Sequence, residues 1–140
     1  MQVYKYLMNN GTLTPKQFDF RLMMSTNVVL PHYCDAVVGN IHEGSVAGAV
    51  LLDLAKAFDT VDHQRLILNL YSIGFSNPSI ECFTSYLENR CQVTAVGNAH
   101  SSSKPVPVGV SQGSILGPLL YLIYFNDLQS ILSECNFNVT

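Results

Sequence analysis

The sequence contains little charge. Only 12% of its 140 residues are Asp, Glu, Lys or Arg, whereas about a quarter is usual in a soluble globular domain. This deficit predicts that some of its surface is covered by polypeptide outside these residues. With 48% apolar residues, the chain is also too hydrophobic to be disordered. Its net charge of −3 gives no basic surface, which, taken alone, counts against a polynucleotide partner.

Paired cysteines and long hydrophobic runs are also missing. The chain has four scattered cysteines: Cys34, Cys82, Cys91 and Cys135. Because no CxxC pair is present, the cysteines are expected to be free thiols in a reducing compartment and not part of a disulfide or zinc framework. The longest apolar run, residues 115–125, is well short of the ~20 residues that a membrane span needs. No targeting segment is visible, so we expect an intracellular protein of the nucleus or cytoplasm, neither secreted nor in a membrane.

A short apolar run is the most informative feature that is present. Residues 46–52 have no helical period, and the run ends abruptly at Asp53. This pattern predicts a strand over 46–53 that is buried on both faces. A carboxylate at the end of such a strand is costly to desolvate unless a positive group lies beside it. Ligands bind at the carboxyl ends of strands in open α/β sheets, so Asp53 is the first candidate for chemistry. The alternative is a turn or helix-cap aspartate.

The periodicity of the remaining sequence predicts a mixed α/β chain, either one domain or a piece of a larger one. Helices are expected near residues 2–9, 26–42, 62–73, 78–89 and 115–132. The second should begin after Ser25 and kink at Pro31. The segments 92–96 and 106–110 predict a hairpin, and residues 135–140 resemble the start of another strand.

Two stretches resemble a known family. They are residues 52–63, LDLAKAFDTVDH, and residues 109–128, GVSQGSILGPLLYLIYFNDL. In this order and at this distance they resemble motifs A and B of reverse transcriptases, in the form found in LINE-type (non-LTR) retrotransposons. Residues 6–26 are similar to the fingers segment of that family, usually QxGFR followed by ST, and residues 83–90 to its palm helix.

The resemblance implies a fold and an activity. The fold would be α/β (α+β), a partial right-hand polymerase with a fingers-like segment over 1–45 and a partial palm over 46–140. The activity would be RNA-directed DNA synthesis with an RNA template, a DNA primer and a dNTP. The family uses two Mg²⁺ ions, which prefer oxygen ligands. Asp53 matches its first metal-binding aspartate, and the Leu54 carbonyl would lie beside that carboxylate.

The same resemblance implies a nucleotide site. Phe58 would lie under the sugar and exclude a 2′-hydroxyl by bulk, although it could equally be a core residue. Gly113 would let the backbone approach the template–nucleotide pair closely, and the Gln112 amide could hydrogen-bond that pair. A helix-cap role is the alternative for Gln112. Ala57 is assigned to this site by resemblance alone. Arg21 could meet a triphosphate, with a solvated loop arginine as the alternative.

Some polar residues are given no chemistry. His63 is expected at a helix start and His100 in a turn, because neither has a metal-binding spacing. Lys56 and Asp59 are expected to pair or cap locally. An apolar stripe is expected to form core and not a cofactor site; its members are Leu116, Leu119, Leu120, Ile123 and Tyr124.

The pattern also departs from the family. Its aromatic-Ala-Asp-Asp signature would begin just after Thr140, so the remainder of the polymerase domain is missing. We therefore expect weak Mg²⁺ binding and little or no polymerase activity from these residues in isolation. Asp19 replaces the usual glycine, and residues 22–24 lack the usual basic and glycine residues. Both changes weaken the expected fingers contacts.

Two other functions stay open. The chain could be a decayed retrotransposon remnant that acts at most as a non-catalytic nucleic-acid or protein interaction module. It could also be an ordinary α/β domain whose motifs are coincidental. In that last case Asp53, Phe58 and Gln112 would not converge on one cleft.

Overall fold

A computed structural model describes residues 2–21, 24–128 and 131–132. These residues form five helices and four two-residue strands, which confirms the mixed α/β class. The chain divides into two compact units: Met1–Ala55 with Phe125–Thr140, and Lys56–Tyr124. The strand expected at 135–140 lies outside the described residues. The division into a fingers-like segment and a partial palm stays a prediction.

The first unit contains two helices, α1 (Gln2–Asn9) and α2 (Thr26–His42). Both match the predicted ranges. The helix α2 follows Ser25, whose backbone is extended, and it continues through Pro31 although proline cannot donate the helix hydrogen bond. Asn126 also belongs to this unit. Its side chain accepts from the Thr14 amide at 2.9 Å and donates to the Thr12 carbonyl at 2.8 Å.

The predicted buried strand over 46–53 is wrong. Residues 45–54 are irregular, and Val46 and Leu51 are 100% and 89% exposed. An extended segment becomes a strand only when a neighbouring segment takes up its backbone hydrogen bonds. No strand of the described residues pairs with this one. Asp53 is exposed as well, so the buried carboxylate that the sequence predicts is not observed.

The second unit contains α3 (His63–Ser72) and α4 (Asn77–Leu87), close to the predicted ranges. The Asp62 side chain caps α3 by accepting from the Arg65 amide at 2.8 Å. Pro78 lies in the first turn of α4, where its missing N–H costs nothing. The two helices pack against each other.

The fifth helix, α5 (Leu116–Phe125), is shorter than the predicted 115–132. It ends in a turn at residues 126–127, and residue 128 is helical again. Asparagine favours such ends because its side chain competes with the helix for backbone groups. The Asn126 contacts with residues 12–14 are an example.

Apolar side chains form the core of the second unit. Those that are buried are Val61, Leu66, Leu70, Ile80, Phe83, Leu87, Val110, Leu119, Leu120, Leu122 and Ile123. The ring of Phe75 meets Phe83 edge-on, with centroids 5.5 Å apart. Of the five residues expected to form an apolar core stripe, Leu119, Leu120 and Ile123 are buried, which confirms the expectation for them, while Leu116 and Tyr124 are partly buried.

A hairpin follows α4. Its strands are β1 (Cys91–Gln92), β2 (Ala95–Val96), β3 (Ala99–His100) and β4 (Lys104–Pro105). The strand β1 pairs with β4 and β2 with β3, both antiparallel. Gly97 has a φ of +59° and begins the two-residue turn, a position that favours glycine.

The last strand of the hairpin, β4, therefore lies before the predicted segment, and residues 106–110 are not a strand. The Val106 amide still donates to the Arg90 carbonyl at 2.8 Å. Pairing goes no further because the opposite segment is the end of α4, which reaches Leu87, and Asn89 has a left-handed φ of +54°. His100 lies in β3, not in the turn.

Two smaller expectations concern cysteines and membranes. Cys34, Cys82 and Cys91 are exposed free thiols, as predicted, while Cys135 lies outside the described residues. Within the described ranges, no helix combines the length and apolarity that crossing a bilayer requires.

Candidate active site

The site begins at a tight turn in the second unit. The amides of Asp59 and Thr60 both donate to the Lys56 carbonyl, at 2.8 and 3.1 Å. Lys56 adopts a left-handed φ of +56°, which is uncommon for a residue with a side chain. The turn reverses the chain and places Phe58 and Asp59 beside residues 109–112.

Backbone hydrogen bonds join these two stretches. The Val110 amide donates to the Phe58 carbonyl and the Gly109 amide to the Val61 carbonyl, both at 2.8 Å. The His63 ring adds a third link, because its Nε2 donates to the Gly109 carbonyl at 2.8 Å. Residues about fifty positions apart in the sequence are thereby held in register.

Gly109 makes this approach possible. Its φ is +90°, and a Cβ built there would lie 2.9 Å from the Asp59 Cα. Both the backbone angle and the space therefore require glycine.

Gln112 follows three residues later and is exposed. Its Nε2 donates to the Asp59 carboxylate at 3.1 Å. Because an ionised carboxylate can only accept, this bond fixes which end of the amide faces Asp59. The Oε1 of Gln112 is not used in that bond and is the acceptor that a ligand could meet.

The Phe58 ring stacks on the ring of Tyr121 in α5. The centroids are 4.7 Å apart and the planes differ by 27°. An offset stack of this kind holds an aromatic side chain in a defined orientation. Phe58 is partly buried, so it contributes to packing, and a role in packing does not preclude a ligand contact.

A cleft of about 590 Å³ opens beside these residues, entirely within the second unit. Its polar lining includes Lys56, Asp59, Thr60, Arg90, Ser111 and Gln112. Two cationic side chains and one carboxylate thus line the cleft, together with an amide. This combination of charges and hydrogen-bonding groups suits a polar, anionic ligand.

A sequence model of the family described as reverse transcriptase (RNA-dependent DNA polymerase) matches residues 2–140. The chain belongs to the reverse transcriptase family.

Curated relatives agree with this assignment. The chain is 34% identical over 116 residues to a probable RNA-directed DNA polymerase from transposon BS of Drosophila melanogaster. It is 33% identical over 112 residues to the RNA-directed DNA polymerase from mobile element jockey of that species. A probable RNA-directed DNA polymerase from transposon X-element, of that species too, is 32% identical over 123 residues. The predicted membership in LINE-type reverse transcriptases is confirmed.

These matches cover 83%, 80% and 87% of this chain. They cover only 13%, 12% and 13% of the relatives, so the chain spans about one eighth of their length. No solved structure matches the chain.

The other residues predicted for the reverse transcriptase site are divided between the two units. Ala57 is partly buried in the turn after Lys56. Asp53 and Leu54 are exposed in the irregular segment of the first unit. Their convergence with Phe58 and Gln112, which lie in the other unit, stays a prediction.

Arg21 lies in the first unit and is partly buried. Its guanidinium donates to the Thr14 carbonyl at 3.0 Å and to the Gln17 carbonyl at 3.2 Å. The side chain thus fastens its own loop, a role that the sequence did not suggest. Its predicted triphosphate contact stays untested, and it would compete with these two bonds.

The predicted Mg²⁺ site can be judged from the ligands present. Asp53 is exposed and offers one carboxylate. Within the residues that the structure describes, no three His, Cys, Asp or Glu side chains are grouped to hold a metal ion. Two-metal sites need more than one carboxylate, so these residues do not form such a site by themselves.

Sequence reasoning missed three residues that hold the candidate site together: Asp59, His63 and Tyr121. Asp59 orients Gln112, His63 links the two motifs, and Tyr121 supports Phe58. The sequence did not single out Tyr121, because α5 also contains Tyr124 and Phe125. Asp59 stands in a run of possible capping residues, which concealed its longer-range bond. His63 begins α3 as predicted, but nothing local indicated its contact with Gly109.

Proposed function

We propose that this chain is part of an RNA-directed DNA polymerase of a LINE-type retrotransposon. In this proposal, residues 1–45 contribute to the fingers and residues 46–140 to the palm. The observation that supports it is the pairing of residues 58–61 with 109–112. These are the stretches that match motifs A and B, and they bring the two principal nucleotide-binding candidates of the second unit into one region.

In this proposal Gln112 and Gly113 meet the base of the incoming nucleotide. The Gln112 amide is held by Asp59, so its Oε1 is presented in a preferred direction. Both residues are exposed, and Gly113 adds no side chain to obstruct a planar base. When a ligand binds, a side-chain amide that is already positioned loses less rotamer freedom than a mobile one. The entropic cost of binding is therefore smaller.

Phe58 serves as the wall beneath the sugar. Its ring is supported by Tyr121, so it resists displacement by a larger sugar. A 2′-hydroxyl would collide with the ring or lose its hydration against it, and deoxynucleotides would be preferred. Ala57 lies next to this wall in the same turn.

The catalytic carboxylate in this proposal is Asp53, with the Leu54 carbonyl as a second metal ligand. Mg²⁺, when bound, would activate the attacking oxygen and stabilise the leaving group. Since a complete metal cluster is lacking among the described residues, we expect the chain alone to bind Mg²⁺ weakly and to extend primers little or not at all.

Photolabelling tests nucleotide binding without requiring turnover. The chain is mixed with an RNA template annealed to a DNA primer and irradiated with 4-thio-dTTP or 4-thio-UTP. We expect preferential labelling by the deoxynucleotide. Gln112→Ala should reduce labelling about fivefold, the equivalent of one modest hydrogen bond. Gln64→Ala, at an exposed glutamine of α3, is the matched control and should change nothing.

Phe58→Ala addresses the sugar contact in the same assay. Labelling by the ribonucleotide should rise relative to the deoxynucleotide. Equal labelling of wild type and Gln112→Ala would contradict the proposed nucleotide site.

Primer extension with Mg²⁺ and a homopolymer RNA template tests the expected lack of activity. Robust extension by residues 1–140 alone would overturn that part of the proposal. Salt-dependent RNA binding that survives Asp53→Asn, without nucleotide labelling, would instead favour the non-catalytic interaction module.

A further inference from the structure

A polar network lies behind the Gln112–Gly113 turn. The Arg90 guanidinium donates to the Ser111 Oγ at 2.6 Å and lies 5.4 Å from the centre of the Tyr86 ring. The Tyr86 hydroxyl donates to the Ser114 Oγ at 3.0 Å. Arg90 and Tyr86 thereby reach one serine on each side of the turn. Neither belongs to the proposed nucleotide contacts.

Ser114 completes the network. Its hydroxyl donates to the Ser111 carbonyl at 2.8 Å and accepts from the Gly117 amide at 2.9 Å, in addition to the bond from Tyr86. One donated and two accepted bonds use its full hydrogen-bonding capacity. The network therefore joins the end of α4 to the start of α5 through both flanks of the turn.

The middle of the turn is left open. Gln112 and Gly113 are exposed, whereas Ser111 and Ser114 are partly buried. Gly113 has a φ of +80°, so the turn depends on a backbone conformation that its flanks must maintain. A segment anchored at both ends and open between them can present its middle residues with little conformational freedom.

We propose that Arg90 and Tyr86 are positioning residues for the Gln112–Gly113 turn. They fix the turn from behind through Ser111 and Ser114, while Asp59 orients the Gln112 side chain from the other side. The inference rests on the proposed function, because it assigns the turn to nucleotide binding. Arg90 also lines the cleft, so the experiment must separate positioning from direct contact with a phosphate.

Three conservative variants make that separation. Tyr86→Phe removes only the hydroxyl that meets Ser114. Arg90→Lys keeps the charge but loses the planar guanidinium that stacks on Tyr86 and reaches Ser111. Ser114→Ala removes the shared hydroxyl. Tyr71→Phe, at a half-exposed tyrosine of α3, is the matched control.

The first readout needs no nucleotide. Amide hydrogen exchange is measured by NMR on the 140-residue chain. In Tyr86→Phe and Ser114→Ala, exchange at Gly117 should accelerate about tenfold, and the Gln112 and Gly113 resonances should shift. Leu66 and Leu70 in α3 should keep wild-type exchange rates, as should all sites in Tyr71→Phe. Unchanged exchange at Gly117 in both variants would overturn the inference.

The second readout is labelling by 4-thio-dTTP. We expect all three positioning variants to lower labelling about fivefold, with the preference over 4-thio-UTP unchanged. The reduction should vanish in a Gln112→Ala background, because the network acts through that residue. If only Arg90→Lys matters, or if the losses persist without Gln112, the inference is wrong.

The two proposals fail separately. Absent labelling of the wild-type chain would refute nucleotide binding, and the exchange data would still decide whether the network holds the turn. Normal labelling of wild type and of all three variants would refute the positioning role alone.

Discussion

Residues 46–52 and Leu116–Phe125 are both strongly apolar, yet the structure places them in opposite environments. Leu52 in the first stretch is 72% exposed, whereas Leu120 in the second is fully buried. The first is irregular and the second is helical. The two stretches are therefore similar in composition but differ in burial and in secondary structure.

The difference lies in how each conformation satisfies its backbone. A helix makes its hydrogen bonds within itself, so α5 can form and then bury its side chains. The backbone N–H and C=O groups of an extended stretch need partners on a neighbouring strand. The described residues provide no paired strand for 46–52. Apolar composition thus indicates which residues avoid water, but it does not specify what covers them.

Leucine truncation should show the largest difference between the two stretches. Leu120→Ala removes a fully buried side chain and should lower the free energy of unfolding by about 2–5 kcal/mol. Leu52→Ala, at the exposed counterpart, should change it by less than about 0.5 kcal/mol. Urea denaturation of the two variants measures both values. Equal losses would contradict the assigned burial.

Glycine substitution gives a second comparison. Gly109→Ala places a Cβ against Asp59 and imposes an unfavourable φ, so we expect a loss of about 2–3 kcal/mol. At Gly48, in the exposed stretch, a Cβ would meet nothing within 4 Å. Gly48→Ala should therefore leave the thermal midpoint nearly unchanged. A tolerated Gly109→Ala would argue against the close approach of the two motifs.

The smallest expected difference in stability is between variants of two aspartates, Asp62 and Asp53. Asp62 caps α3, and Asp62→Ala should cost about 1 kcal/mol of unfolding free energy. Asp53 is exposed in irregular chain, so Asp53→Ala should be close to neutral for stability. A large destabilisation by Asp53→Ala would assign it a structural role and weaken its candidacy for chemistry.

Local patterns predicted the helices and the family better than the strands. The helices around Leu66 and Ile80 followed from period and capping, because those signals are local. The motif residues Phe58 and Gln112 were also found from the sequence, and their segments do meet. The conformation of the segment that ends at Asp53 does not follow from the local sequence. A strand needs a pairing segment, and that segment can lie far away in the sequence.

The errors have the same origin. Alternating valines predict a strand over residues 106–110, but the segment that would pair with it is the end of α4. Asp59 and Tyr121 were overlooked because their partners, Gln112 and Phe58, are distant in sequence. Long-range hydrogen bonds and ring contacts leave little trace in local composition.

Amide hydrogen exchange on the intact 140-residue chain tests the central claim most directly. That claim is that the motif A and motif B stretches are joined at Phe58–Val61 and Gly109–Val110. The amides of Gly109 and Val110 should exchange at least about a hundredfold more slowly than in a free chain. Those of Val50 and Leu51 should exchange near the free-chain rate. Fast exchange at Gly109 and Val110 would contradict the account, since the two motifs would then not be held together.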